Sequence, residues 1–237
     1  MKKYDYNPWP LGKLPKESQR PEPDIIRSMG YDWDDPRDLV DIWERKVADY
    51  WGAKYAVAID CCSHAMFLSL KYLLHIYEID NSRAIIIPRH TYVSAPMQII
   101  HAGLMVRFKD IKWKGYYYLQ PTRVIDAAVI WTEGGYVKDS LMCLSFQIKK
   151  AVPIGKGGMI LTDDPDAFKW LKLASYDGRD LTTPYDSDGH VQMIGWHYYP
   201  TPEDCARGII LMDKIGDIGS YLGSENYPDV SKMIGGI

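Results

Sequence analysis

The sequence predicts an α/β protein with three layers, helices covering both faces of a mostly parallel sheet. Three observations carry that expectation. Short apolar runs alternate with longer segments of helical spacing through the middle of the chain, the pattern of strands joined by crossover helices. Polar groups cluster directly after several of those runs. The 237 residues, 46% hydrophobic and 25% charged, suffice for one large domain with a substantial core.

Residues 1–35 contain Pro8, Pro10, Pro15, Pro21 and Pro23 and read as an N-terminal arm outside the core. The main body is expected over 36–220. Asp34-Asp35-Pro36 places acids and a proline where a helix begins. Leu39, Val40, Ile42, Trp43, Val47 and Trp51 form its apolar stripe, and Gly52 ends it. Residues 55–59 are a short buried strand. The run from Ser63 through Ile76 is apolar on nearly every side, so it reads as a buried helix. Strands follow at 84–88, 104–108 and 123–126, with a helix from Thr91 to His101 closed by Gly103. Leu141 to Phe146 is a strand that leads into Gln147-Ile148-Lys149-Lys150, and Gly155-Lys156-Gly157-Gly158 leads into another. Thr162-Asp163-Asp164-Pro165 caps a helix from about Asp166 to Ser175, and residues 176–190 read as a mobile loop. Thr201-Pro202-Glu203 opens a last helix. The segment from Gly216 onward, with the short C-terminal tail at 221–237, is weakly patterned.

Composition excludes several functions. A net charge of -3 offers no electrostatic case for nucleic acid. The apolar runs are too short for a membrane span, and the N-terminus lacks a signal-peptide core. Cys61, Cys62, Cys143 and Cys205 form no CxxC pair, so reduced thiols in a cytoplasmic protein are expected. A zinc centre from Cys61, Cys62, His64 and His197 lacks ligand spacing. No GxGxxG follows the first strand, which argues against a nicotinamide enzyme.

In parallel sheets, ligands sit beyond the carboxyl ends of the strands. Cys61 to Ser63, Thr91-Tyr92, Asp126, and Ser145 to Lys150 all follow strand ends and should converge on one rim. A lysine at the edge of a packed sheet sheds its proton more readily than one in water, and its neutral amine attacks carbonyls. Taken alone, the Lys149-Lys150 pair fits an ordinary surface loop better, and the rest of the chain reverses that reading.

Order and spacing of several segments resemble the DegT/DnrJ/EryC1/StrS family of sugar aminotransferases. The resemblance runs from about Trp9 to Ile215. It is carried by Trp51-Gly52-Ala53-Lys54-Tyr55-Ala56-Val57-Ala58, by Ile87-Pro88-Arg89-His90-Thr91-Tyr92-Val93-Ser94-Ala95, and by Ala102-Gly103 before a strand ending at Asp110. Val124-Ile125-Asp126-Ala127-Ala128, Ser145-Phe146 to Lys150, and Gly157-Gly158 continue it. The resemblance implies the large domain of a fold-type-I transferase using pyridoxal 5'-phosphate (PLP). Counting five residues from Ser145 selects Lys150 for the Schiff base. Asp126 would pair with the pyridine nitrogen, and Tyr92 would stack on the ring. Ser63, Ser145 and, more weakly, His64 would hold the phosphate at a helix N-terminus. Plainer roles stay open: Asp126 capping a turn, Tyr92 filling core, Ser63 acting as an N-cap, His64 structural.

Departures from the family pattern are Cys61-Cys62 before Ser63, Val129 where a glutamine is usual, Gln147 after Ser-Phe, and Lys156 in Gly-Lys-Gly-Gly. His197 stands where an asparagine reaches the phosphate of a partner subunit. The chain stops at Ile237, so the smaller C-terminal domain is expected to be absent or vestigial. The expected activity is amino transfer from an amino acid such as glutamate to a nucleotide-linked keto-sugar, in a homodimer with shared active sites. The alternatives are dehydration or epimerisation on the same scaffold, or a PLP-binding subunit without catalysis.

Overall fold

The computed structural model describes residues 15–184 and 187–234. In chain order its elements are α1 (Glu22–Ser28), α2 (Asp38–Trp51), β1 (Tyr55–Ile59), α3 (Cys62–His75), β2 (Ile85–Pro88), α4 (Ser94–His101), β3 (Val106–Lys109), β4 (Tyr117–Tyr118), β5 (Val124–Asp126), β6 (Ile130–Trp131), β7 (Leu141–Ser145), β8 (Gly158–Thr162), α5 (Pro165–Ser175), α6 (Pro202–Met212) and β9 (Gly219–Ser220).

The main sheet has the order β1-β8-β7-β5-β4. The parallel pair β2-β3 joins it through reciprocal backbone bonds between Ile86 and Gln120, just beyond β4. β5 and β7 are parallel, whereas β8 is antiparallel to β1 and β7, and β4 to β5. So β1, β7, β5, β2 and β3 share one direction, as the alternating pattern predicts. β8 departs for a local reason. The segment after β7 turns straight back, with Phe146 N–H donating to the Gly157 carbonyl, and a direct return produces an antiparallel pair.

Strand periodicity divides the core in two. Val57, Ile59, Val124, Leu141, Cys143 and Ile160 face α3, α4 and α5. Ala56, Ala58, Ile125, Met142, Leu144 and Leu161 face α1, α2 and α6. The sheet is therefore covered on both faces, which is why its strands read as continuous apolar runs. On the second side Trp43 and Trp51 of α2 are almost fully buried, and Trp43 meets Phe146 edge-on at 5.1 Å. Gly52 closes α2 at φ +75°, in the left-handed region that suits glycine. Asp164, within the expected capping segment 162–165, and Thr201 cap α5 and α6 through their side chains.

Two terminal segments differ from expectation. Within the 1–35 arm, α1 buries Ile26 completely in the α2–α6 core. Its Pro21 and Pro23 sit at the helix start, where proline costs little; Pro8 and Pro10 lie outside the described residues. The tail is also structured. β9 pairs with β6, and Val230 is fully buried. The signal there was faint because the fastening is backbone pairing, which leaves little periodicity.

Gly158 couples β8 to the start of α3. A Cβ there would lie 2.4 Å from the Cys61 carbonyl carbon and 2.5 Å from the Cys62 nitrogen, both backbone atoms that cannot swing aside. Gly158→Ala is expected to destabilise the fold by about 1–3 kcal/mol, the usual range for overpacking, measured by urea unfolding. An unchanged unfolding midpoint would show that β8 and α3 have room to separate.

Candidate active site

The strand register sets out the rim. Ile59 pairs with Gly158, Gly158 with Ser145, and Asp126 with Cys143. The carboxyl ends of β1, β7 and β5 thus lie side by side, and α3 starts immediately beyond β1. Ser63, Ser145 and Asp126 share this edge. Lys150 follows β7 by one turn, its N–H donating to the Gln147 carbonyl at 2.8 Å. The sequence-predicted amine and carboxylate are on the same rim, close enough for the Lys150 charge to act on Asp126.

Asp126 is only 7% exposed. Its Oδ2 accepts the Tyr117 hydroxyl at 2.7 Å and its Oδ1 the Ala128 N–H at 3.1 Å. Burial pushes its carboxyl up from the usual carboxylate range, while those two hydrogen bonds and the Lys150 charge oppose that shift. Burial, then the Asp126 charge, push the Tyr117 phenol far up, so it remains a donor. The same hydroxyl shares a 2.6 Å bond with Thr91 Oγ1. Among the described residues no ion pair reaches Asp126 within 4 Å. A buried carboxylate with spare acceptor positions and no cationic partner favours a positively charged N–H donor.

Beside it, Cys62 is buried, and burial, followed by Asp126, raises its thiol well above the ordinary value. It stays protonated and donates to the Cys143 carbonyl at 3.6 Å. It is no nucleophile in this state.

The α3 N-terminus supplies the anion-facing end of the rim. Ser63 Oγ donates to Ser94 Oγ at 2.8 Å, joining the starts of α3 and α4. α3 opens at Cys62, one residue before the expected Ser63, because the Cys61 sulfur accepts the His64 N–H as cap. His64 Nδ1 lies 2.6 Å from Asp60 Oδ1, and its ring stacks on Tyr198 with centroids 3.7 Å apart. Burial lowers the imidazole, but the hydrogen bonds to Asp60 and Cys61 outweigh it and raise His64 to about 9. Lys156 Nζ bonds the other Asp60 oxygen at 3.0 Å. The lysine of the Gly-Lys-Gly-Gly departure is thus matched by Asp60. Donor atoms of Asp60, Cys61 and His64 lie within 4.8 Å of one another. His64 and the Lys156 ammonium already occupy the two Asp60 oxygens, so the group is an ion-paired cluster beside the helix start.

Other predicted residues fall around this centre. Ser145 is half-buried at the end of β7. Tyr92 is 61% exposed at the rim. Gln147 turns back on its own loop, its Oε1 accepting the Lys149 N–H at 2.9 Å. His197 is largely exposed and bonds Asp177 Oδ2 at 2.9 Å, a pairing that keeps its Nδ1 away from the Asp126–Lys150 centre. Sequence reasoning missed Tyr117, Tyr221 and Tyr227. Tyr117 comes from a two-residue strand, and the other two from the tail, so none had a periodic context to mark it.

Residues 23–130 match the profile of the DegT/DnrJ/EryC1/StrS aminotransferase family. Its members are PLP-dependent enzymes. Among solved structures, the chain is similar to a sugar aminotransferase of Micromonospora echinospora, with TM-score 0.66, 15% identity, and coverage of 86% of this chain and 67% of that one. An aminotransferase of Helicobacter pylori involved in the biosynthesis of pseudoaminic acid gives TM-score 0.63 at 14% identity, covering 83% and 63%. A GDP-4-keto-6-deoxymannose-3-dehydratase bound to GDP-perosamine gives 0.62 at 17%, covering 81% and 64%. These likenesses establish the fold, which the chain shares with those structures. The chain spans about two thirds or slightly less of the length of these solved chains. No curated protein matches the sequence.

The family cofactor fits the residues present. Asp126 is a buried carboxylate with no cation in contact among the described residues, Lys150 brings an amine to the same rim, and Ser63 sits at the start of a long helix.

His64 carries a pH signature. Its folded value is raised from 6.5 to about 9, so the stability it contributes is full below 6.5 and is lost as pH climbs through 9. The stability difference between the parent and His64→Gln should therefore shrink across that interval in urea titrations. A difference constant with pH would mean that the Asp60 pairing is not formed.

Proposed function

We propose that this protein is a PLP-dependent aminotransferase that transfers an amino group from an amino acid such as glutamate to a nucleotide-linked keto-sugar. The observation that carries the reading is the buried, cation-free Asp126 sharing a rim with Lys150. The bound cofactor would supply an electron sink for charge developing next to the amino nitrogen. Asp126 would accept the pyridine N–H and keep that nitrogen protonated. Lys150 Nζ would attach the cofactor through its aldehyde and, once released, carry the proton between carbon positions. Ser63 and the free amides of the α3 N-terminus would hold the phosphate, with Ser145 beside them. His64 and Lys156, both cationic, add positive charge at that end.

The nucleotide-sugar substrate is supported by structural neighbours that are sugar aminotransferases or bind a GDP-linked sugar, and retention of Lys150 favours amino transfer over dehydration. Tyr92 would cover one face of the ring. With Ile148 it leaves an exposed apolar surface beside the rim that a second copy of the chain would cover, so we place the active form as a homodimer. Four free cysteines accord with a cytoplasmic setting.

The test is absorbance. Purified protein mixed with PLP should show the band of a lysine-bound cofactor, and L-glutamate should convert it to the amine form. Lys150→Ala should lose that band and lower turnover roughly 10²- to 10⁴-fold, the range for a general base. Cofactor binding with no response to any amino acid would instead favour a non-catalytic PLP-binding protein. An unchanged band in Lys150→Ala would remove the lysine assignment.

A further inference from the structure

The C-terminal segment 219–234 crosses the rim as a strap. The Tyr221 N–H donates to the Val129 carbonyl at 3.2 Å, the Gly115 N–H to Leu222 at 2.9 Å, and the Ser224 N–H to Trp113 at 3.0 Å. Further on, His90 Nδ1 donates to the Tyr227 carbonyl at 2.9 Å, the Val230 N–H to Arg89 at 2.9 Å, and the Arg89 guanidinium pairs with Asp229. The strap is thereby fastened to the loops that follow β5, β3 and β2.

Tyr221 makes a different kind of contact. Its hydroxyl donates to the Ala128 carbonyl at 3.2 Å and accepts the Ala151 N–H at 3.4 Å. Ala128 is two residues beyond Asp126 and its own N–H holds Asp126 Oδ1. Ala151 immediately follows Lys150. One phenol oxygen therefore joins the loop carrying the carboxylate to the loop carrying the amine. The three residues before Lys150 are exposed, so that loop has little packing of its own at this point.

We propose that Tyr221 is a positioning residue that sets the separation of Lys150 from Asp126, so that the strap completes the cofactor site. This rests on the reading of Lys150 as the cofactor-binding amine. Reactive groups displaced by about an ångström lose rate far more steeply than affinity. Loss of the Tyr221 hydroxyl should leave phosphate anchoring intact and impair covalent attachment.

The experiment uses the full chain and PLP as probe, with borohydride trapping. In trapping, Lys150 Nζ forms a bond to the aldehyde carbon of PLP and water leaves. Borohydride then delivers hydride to that carbon, solvent supplies a proton to nitrogen, and mass spectrometry locates the adduct. Bound PLP is measured separately by equilibrium dialysis, and amide exchange is followed over 126–129 and 147–151 without ligand. Tyr221→Phe is expected to bind PLP nearly as well as the parent, to lower the trapped fraction about tenfold, and to speed exchange in both loops. Asn226→Ala, which removes only the Asn226 bond to the Gly223 N–H within the strap, should retain parental trapping and exchange.

The proposal is overturned if Tyr221→Phe leaves loop exchange and the trapped fraction unchanged. It is also overturned if binding and trapping fall together, or if Asn226→Ala reproduces the effect. Absence of trapping in the parent would remove the Lys150 assignment. The exchange comparison would then decide separately whether Tyr221 ties the two loops.

Discussion

A carboxylate kept out of water at the end of a central strand is the constraint around which this molecule is arranged. Asp126 ends β5 on the face covered by α3, and its burial penalises the charged form. The structure offsets that penalty with neutral donors, Tyr117 and Ala128, and with the more distant Lys150 charge. None of these is a contact ion pair. The site is thus poised toward a cationic N–H arriving from a ligand. Tyr117 reaches Asp126 because β4 runs antiparallel to β5 with Tyr117 directly opposite it. The short hairpin that interrupts the parallel sheet is therefore part of the site.

The opposite end of the rim solves a different electrostatic problem. The start of α3 presents free N–H groups and the positive end of its dipole. Asp60, His64 and Lys156 form a chain of charges just behind it, and Tyr198 stacks over the imidazole. Asp60 neutralises part of this charge and orients the rest. Close approach of β8 at Gly158 brings Lys156 within reach. The departures Cys61-Cys62 and Lys156 are thus coherent as a set. The cysteine sulfur caps the helix, and the lysine finds its carboxylate.

Legibility in the sequence followed periodicity. β1 emerged with its observed bounds and β7 within a residue, because both are buried on two faces and bounded by polar residues. α5 and α6 were marked by Thr162-Asp163-Asp164-Pro165 and Thr201-Pro202-Glu203, whose capping chemistry is local. β4, β6 and β9 were missed. A two-residue strand has no period to detect, and its pairing depends on a partner distant in the chain. α1 was hidden by prolines that break helices in their interior and are tolerated at their start. The rim itself was foreseeable, since Asp126 and Lys150 each follow a recognisable strand and parallel strands end together.

By itself the sequence determined the alternation of strands and helices, the two-sided burial of the sheet, and the order in which Ser63, Tyr92, Asp126, Ser145 and Lys150 arrive at one edge. These depend on hydrophobic spacing and local capping, properties of neighbouring residues. Tertiary structure alone decided that Tyr117 would donate to Asp126, that Lys156 would pair with Asp60, and that His197 would turn to Asp177. It also decided that Tyr221 would bridge Ala128 and Ala151. Each such contact joins residues far apart in the chain or depends on the path of a loop, and hydrogen-bond direction across such distances has no counterpart in local pattern.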